Sequence, residues 1–312
     1  WMKRHRLLCR VLAASAAALL LTGCGDSKKA REARMTGIEQ MNQENYEDAI
    51  ASFDKALDEA DGIVGPFELD VLKYRAEAEY LTEDYRAAAH TYDILADVDG
   101  EKREYLYYGA ASHALAGELD EAVEAYEKAQ KGASGEKKQD QKAQKPADGK
   151  KENQKQEDQK GADGTQQETA SGQAALDPDQ KSIHEAALSP EEEAGRSLAL
   201  SAIGKAYEDQ GQYEEAMSFY EGAASSDLTA DLCNRMGLCM MAAEQYDEAL
   251  SYFEKGMTLQ DEVKMPDLKY NEAAAYEYKG NFEKALELLN AYVSAYGSTP
   301  EIEREIVFLE SR

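Results

Sequence analysis

The chain has 312 residues and a formal net charge of −27, with 43% hydrophobic and 31% charged residues. A protein this acidic repels the phosphates of nucleic acids and of anionic lipid head groups, which argues against DNA or RNA as a partner. The hydrophobic fraction is sufficient for a folded core. The aromatic residues are mostly amphipathic, because 19 Tyr stand against 6 Phe and 1 Trp.

The first predicted element is a secretory leader. It has a basic start at residues 2–6 and an apolar run at 11–21, which is too short to span a bilayer. The run ends in Leu21-Thr22-Gly23-Cys24, which resembles the lipobox of bacterial lipoproteins. The resemblance implies that residues 1–23 are a signal peptide and that Cys24 carries the lipid, followed by a tether to residue 30. The alternative is an ordinary secretory signal with an accidental cysteine.

Pairs of amphipathic helices are predicted to recur after the tether. In residues 198–223, small and apolar residues three or four apart form one stripe before Gly211 and a second stripe after it. A glycine at this place predicts a tight turn between two helices. The alanine of the second stripe recurs about every 34 residues, apart from one longer step of 94, at Ala49, Ala88, Ala122, Ala216, Ala249 and Ala285.

This period and pattern resemble the tetratricopeptide repeat, whose first helix has a tryptophan-leucine-glycine-tyrosine signature and whose second helix has alanine and phenylalanine. The resemblance implies an all-α solenoid of about six helix-turn-helix units plus a C-terminal capping helix. Residues 31–130 and 189–312 would form two blocks of three units each. Gly204 and Gly237 should let the paired helices approach closely, while the aromatic residues fill the gaps between pairs.

The long step between the two blocks indicates an insert at residues 131–188. Between residues 131 and 174 it holds nine Lys and eight Asp or Glu, and no aromatic residue occurs from 127 to 206. Such a composition predicts disorder, either as a spacer or as a lysine-rich docking segment. The two blocks either stand apart or stack into one superhelix. Ser189 and Glu192 predict a capping box where the second block begins.

In this family the first helices line the concave face, so their outward positions are candidates for binding a protein or peptide partner. Tyrosine is a frequent interface anchor, although several tyrosines could instead pack between units. Some members of the family bind the terminal carboxylate of a peptide with a clamp of lysine and asparagine residues. This chain has other residues at the corresponding positions, so it does not reproduce that clamp. The candidates are Lys73, Tyr80, Tyr107, Lys205, Asn234, Tyr270 and Tyr278, with Glu77, Ala111, Ser201 and Leu238 beside them.

Catalysis is not expected. The four His are scattered, and no nucleophile-base, metal or phosphate-loop spacing occurs, so neither a cofactor nor a metal is predicted. Cys233 and Cys239 match no zinc pattern and are interpreted as buried free thiols. The expected function is a scaffold for protein interactions, anchored by lipid to the extracytoplasmic face of a bacterial membrane. The alternatives are a lipoprotein that binds a glycan or peptide and an envelope-assembly factor.

Overall fold

The computed structural model describes residues 27–60, 62–132 and 188–312. Thirteen α-helices contain 81% of these residues, and no strand occurs among them. The all-α class and the solenoid architecture expected from the sequence are therefore confirmed. The leader, Cys24 and residues 133–187 of the insert lie outside the described residues.

Six helix pairs and one final helix follow one another along the described chain. The pairs are α1 (Lys28–Asn42) with α2 (Tyr46–Asp58), α3 (Pro66–Leu81) with α4 (Tyr85–Asp99), α5 (Arg103–Leu115) with α6 (Leu119–Gly132), α7 (Pro190–Asp209) with α8 (Tyr213–Ser226), α9 (Ala230–Ala242) with α10 (Tyr246–Thr258) and α11 (Met265–Tyr278) with α12 (Phe282–Tyr296). The last helix is α13 (Pro300–Glu310). Each pair is one unit, and units are numbered 1 to 6 in chain order.

A residue in the left-handed backbone region joins the two helices of each unit. Gly211 has φ of 74°, as its place after the first stripe predicts. In three units a glutamate stands at this place instead, with φ between 58° and 63°, at Glu44, Glu83 and Glu244. This conformation costs a residue with a Cβ about 1–2 kcal/mol, so the packing of the two helices imposes the turn on these units.

The helices of a unit approach most closely where a first-helix glycine meets a second-helix ring. A Cβ on Gly204 would lie 2.7 Å from the ring of Tyr220, and a Cβ on Gly237 would lie 2.3 Å from the ring of Phe253. Both rings are fully buried. Since no real Cβ contact is this short, only glycine permits the observed distance between the helices, which confirms the role expected for Gly204 and Gly237.

Neighbouring units stack without interruption across the position of the insert. One buried cluster joins alanines of α5 and α6 to Ala199, Ala202 and Ile203 of α7. The rings of Tyr126 in α6 and Phe219 in α8 also meet edge to face, with centroids 6.1 Å apart. The two blocks therefore form one solenoid, and α6 continues to Gly132, two residues into the expected insert.

Both ends of the second block match the sequence analysis. Ser189 Oγ accepts a hydrogen bond from the Glu192 backbone N–H at 3.1 Å, and the Glu192 carboxylate accepts one from the Ser189 N–H at 2.8 Å. At the other end, Ile302 and Leu309 of α13 are 6% and 4% exposed and pack on unit 6. The capping box and the capping helix are therefore confirmed.

Replacing a second-helix alanine by arginine should unfold its unit. Ala249 is fully buried against α9 and α11, so Ala249→Arg would force a long charged side chain into a closed space. We expect the free energy of unfolding to fall by about 3 kcal/mol or more, measured by thermal or urea denaturation. Ser251→Arg, at an exposed position of the same helix, is the control and should change little. An unchanged melting curve for Ala249→Arg would contradict this packing.

Cutting the chain within the insert should leave the two blocks bound to each other. A specific protease site introduced after Gly149 would yield two fragments, which we expect to elute together from a sizing column because the buried cluster at α5, α6 and α7 holds them. Ala199→Arg places a charge inside this cluster and should separate the fragments. Independent elution of the cut fragments without that substitution would show that the blocks do not stack in solution.

Candidate functional site

Two of the candidate tyrosines lie in the core. Tyr107 is 1% exposed and packs against Tyr126, with ring centroids 5.8 Å apart, and against Gly195 of α7. Burial raises the pKa of its hydroxyl to about 12. Tyr80 is 7% exposed and meets the ring of Tyr85 edge to face. The outward placement expected for these two side chains is therefore wrong. Both side chains pack within the solenoid instead, which is the alternative that the sequence analysis left open.

The two candidate lysines form ion pairs within the solenoid. Lys73 Nζ lies 3.5 Å from the carboxylate of Glu104 on α5 and 5.0 Å from the ring centroid of Tyr105. Lys205 pairs with Asp209, one turn further along its own helix. Lys73 therefore links units 2 and 3, while Lys205 keeps a half-exposed position on α7.

Asn234 and Tyr270 are brought together at one cavity near the C-terminal end of the solenoid. The cavity has a volume of about 320 Å³ and opens to solvent. We call it the C-terminal cavity, and it is lined by Asn234 of α9, Pro266, Asp267, Tyr270 and Asn271 of α11, Tyr292 of α12, and Thr299, Glu301 and Ile302 at the start of α13. It is the candidate binding site.

An amide pair forms one wall of the C-terminal cavity. The Asn271 Nδ2 group donates a hydrogen bond to Asn234 Oδ1 at 2.8 Å. Asn234 is only 8% exposed. Its own Nδ2 and the Oδ1 of Asn271 make no other hydrogen bond to a described residue. The pair thus offers one donor and one acceptor side by side, which matches the donor and acceptor of a peptide group.

Tyrosines form another part of the lining. Tyr270 is 39% exposed, and its ring meets that of Tyr292 edge to face with centroids 5.9 Å apart. Tyr292 continues to Tyr296 at 5.1 Å, and the ammonium group of Lys269 lies 5.9 Å from the centroid of Tyr296. These rings supply a broad contact surface whose position is already fixed by mutual packing.

A pair of carboxyl groups continues the same face of α11 beyond the cavity. Glu277 lies seven residues after Tyr270, which is two helical turns, and hydrogen-bonds to Glu305 of α13. Burial, followed by the bond to Glu305 and its negative charge, raises the pKa of Glu277 to about 7. No cation is among the groups that act on Glu277. Glu277 is therefore partly protonated at neutral pH.

The remaining candidate lies on another surface. Tyr278 is 68% exposed, and its ring stacks on Tyr246 of α10 with centroids 6.1 Å apart, outside the lining of the cavity. The sequence analysis missed Tyr292, Glu301 and Glu305, because it considered first helices alone. Tyr292 belongs to a second helix, and α13 was assigned only a capping role.

Cys233 and Cys239 are buried free thiols, as expected, and burial raises the pKa of Cys239 to about 12. Within the described ranges, no group of three or more His, Cys, Asp or Glu side chains could hold a metal ion. Among the described helices, none has the length and apolar character needed to cross a bilayer.

Family models of the tetratricopeptide repeat match the sequence at residues 34–85 and 76–137, at 199–230 and at 240–304. These matches cover parts of both helical blocks. No curated protein matches the chain in sequence.

Solved structures with a similar fold include that of PilW, a type IV pilus biogenesis factor, which is 15% identical over 89% of this chain and 98% of its own, with a TM-score of 0.55. The APC/C hetero-tetramer Cut9-Hcn1 is 11% identical with a TM-score of 0.51. The match covers 98% of this chain but only 46% of that one. A tetratricopeptide repeat protein from Parabacteroides merdae ATCC 43184 is 14% identical over 99% and 93% of the two chains, with a TM-score of 0.46. At these identities the likeness to PilW and to Cut9-Hcn1 shows the fold alone.

The carboxyl pair should make stability depend on pH. Because the folded protein holds a proton on Glu277 up to about pH 7, which the unfolded chain releases near the ordinary carboxyl pKa, stability should fall as pH rises through this window and then level off. Melting temperatures at pH 5.5 and 7.5 measure this slope, and Glu277→Gln should reduce it.

The control for this measurement is Glu283→Gln, which removes a carboxyl from the exposed start of α12 and should keep the wild-type slope. His113, whose pKa is raised by its bonds to Asp93 and Glu118, adds a loss of stability with rising pH that is common to all three proteins. Equal slopes in the wild type and Glu277→Gln would refute the raised pKa of Glu277.

Proposed function

Because the chain is a tetratricopeptide-repeat solenoid, we propose that it is a scaffold for protein interactions and that the surface formed by its first helices binds a protein or peptide partner. The observation that carries the proposal is the C-terminal cavity, whose lining includes both the exposed ring of Tyr270 and the amide pair of Asn234 and Asn271. The chemistry of this lining suits a peptide segment, whose backbone can pair with the amides while its side chains pack on the rings.

We propose further that Cys24 carries a lipid and anchors the protein to the extracytoplasmic face of a bacterial membrane. The support is the Leu21-Thr22-Gly23-Cys24 motif that follows the apolar run. Two acyl chains on one residue give stable attachment, whereas a single chain binds reversibly. Cys24→Ser should move the protein from the membrane fraction to the soluble fraction after cell lysis, and retention in the membrane would refute lipid anchoring at this residue.

Crosslinking in intact cells, followed by capture through a tag after Arg312 and mass spectrometry, tests the scaffold. Two variants run beside the wild type. Tyr270→Ala with Asn271→Ala removes one ring and one amide from the lining of the cavity, whereas Tyr278→Ala removes an exposed tyrosine outside it. We expect a reproducible set of proteins that the first variant loses and the second keeps.

Retention of the same set by both variants would place the interaction elsewhere on the chain. Absence of any specific protein would refute the scaffold and favour a lipoprotein that binds a small ligand. Thermal melting of each variant is the control for folding, because Asn271 bonds to the buried Asn234 and Tyr270 packs on Tyr292. The comparison of captured proteins holds for variants that remain folded at the temperature of the experiment.

A further inference from the structure

The first helix of unit 4 is longer than the first helices of the other units. α7 has 20 residues, whereas the other five have 13 to 16. When the close-contact glycines are aligned, α9 begins seven residues before Gly237, and α7 begins fourteen residues before Gly204. The additional two turns of α7 are residues 190–196, which we call the strap. No other first helix extends this far, so the repeat pattern does not account for the strap.

The strap lies on two tyrosines of α5. The Tyr108 hydroxyl donates a hydrogen bond to the backbone oxygen of Glu191 at 3.4 Å. One turn later, a Cβ on Gly195 would lie 3.1 Å from the Cβ of Tyr107 and 3.3 Å from the ring of Tyr108. Residues 191 and 195 are four apart and therefore share one face of the helix. This face covers both tyrosines, which are only 1% and 6% exposed.

The strap is held less tightly than the rest of α7. Gly195 is its one buried residue, whereas Pro190 and Ala194 are exposed. The buried residues of α7 after the strap are Ala199, Leu200, Ala202, Ile203 and Gly204. The bond from Tyr108 is longer than the about 2.7–2.8 Å usual for an O–H donor, and a glycine inside a helix lowers its stability relative to alanine. The strap can therefore open while the rest of α7 stays packed.

The other polar contacts of the strap do not bind it to α5. Glu193 accepts a hydrogen bond from the hydroxyl of Ser226 at the end of α8, and it lies 3.4 Å from Arg196 of the strap itself. Contacts between such exposed groups contribute little to stability. The capping box of Ser189 and Glu192 stabilises the first turn of the strap but makes no contact with α5. Separation from α5 therefore breaks no strong polar contact.

We propose that the strap is an internal ligand on a second binding surface, and that the two tyrosines of α5 beneath it bind a helix of a partner protein with glycine or alanine at the place of Gly195. The residue is small because Tyr107 and Tyr108 leave no space for a longer side chain there. One turn earlier, the partner helix offers a backbone oxygen to the Tyr108 hydroxyl. This surface is separate from the C-terminal cavity, so the inference goes beyond the site proposed above.

Hydrogen exchange of the full chain in detergent micelles, followed by mass spectrometry, tests whether the strap leaves α5. We expect the amides of residues 194–197 to exchange at least about tenfold faster than those of 202–207, because the strap opens separately from unit 4. Gly195→Leu should raise the rate at 194–197 about tenfold more, since the added side chain collides with the tyrosines. Equal protection of the two segments in the wild type would overturn the inference.

Two further variants make this measurement specific. Ala194→Leu adds the same side chain at the exposed neighbouring position and should leave the exchange of the strap unchanged. Tyr108→Phe removes the bond to Glu191 but keeps the ring, which stacks on Tyr92 with centroids 5.7 Å apart, so the core is preserved. We expect it to raise the rate at 194–197 about two- to threefold. An unchanged rate in both Gly195→Leu and Tyr108→Phe would show that α5 does not hold the strap.

A fluorescein-labelled peptide with the sequence of residues 188–198 stands for the partner helix in a binding test by fluorescence anisotropy. Its dissociation constant should be at least about tenfold lower for the Gly195→Leu protein than for the wild type, because the protein's own strap no longer competes. The Ala194→Leu protein should behave like the wild type. A peptide that itself carries Gly195→Leu should bind neither protein.

The remaining outcomes are also decisive. Equal affinity of the first peptide for the wild type and the Gly195→Leu protein, equal binding of the two peptides, or no binding to any protein would overturn the second surface. The Tyr270→Ala, Asn271→Ala variant should bind the peptide as the wild type does, since its changes lie at the cavity. If that variant loses crosslinked partners while the peptide ignores Gly195→Leu, the cavity stands and the strap falls, and the reverse result would retain only the strap.

Discussion

The structure depends on the distance between the two helices of each unit. Gly204 and Gly237 leave room for the rings of Tyr220 and Phe253 at a separation that no Cβ permits. Once this distance is fixed, the turn between the helices is fixed as well, and it requires a left-handed residue even where that residue is Glu44, Glu83 or Glu244. The about 1–2 kcal/mol that each of these glutamates costs is offset by burial of a whole aromatic side chain. The packing of the two helices thus overrides the preference of glutamate for other backbone conformations.

The stacking of successive helix pairs then determines which side chains remain exposed to solvent. Tyr107 and Tyr270 both lie on first helices, yet Tyr107 is buried and Tyr270 is exposed. The N-terminal part of α7 is long enough to cover Tyr107, because this helix has 20 residues and its Gly195 rests against the tyrosine. Over Tyr270 the shorter α13 leaves an opening instead of a full contact. The proposed binding site therefore lies where α13 leaves part of unit 6 uncovered.

Much of this fold could be predicted from the sequence, and the reasons are physical. Periodic alanines and glycines mark close helix contacts, and Ser189 with Glu192 marks a helix start, since these local signals depend on spacing along one chain. The candidate site was predictable only in part. Asn234 and Tyr270 were identified by their positions on first helices, but the burial of Tyr80 and the approach of Tyr292 and Glu305 arise from the angles between units. Spacing along the chain does not encode those angles directly.

The uninterrupted core across α5, α6 and α7 has an evolutionary consequence. The alanines that meet at this joint are buried on both sides, so a larger residue there would separate the helices on which they lie. We therefore expect related chains to keep small residues at the joint more strictly than they keep the length and composition of the insert.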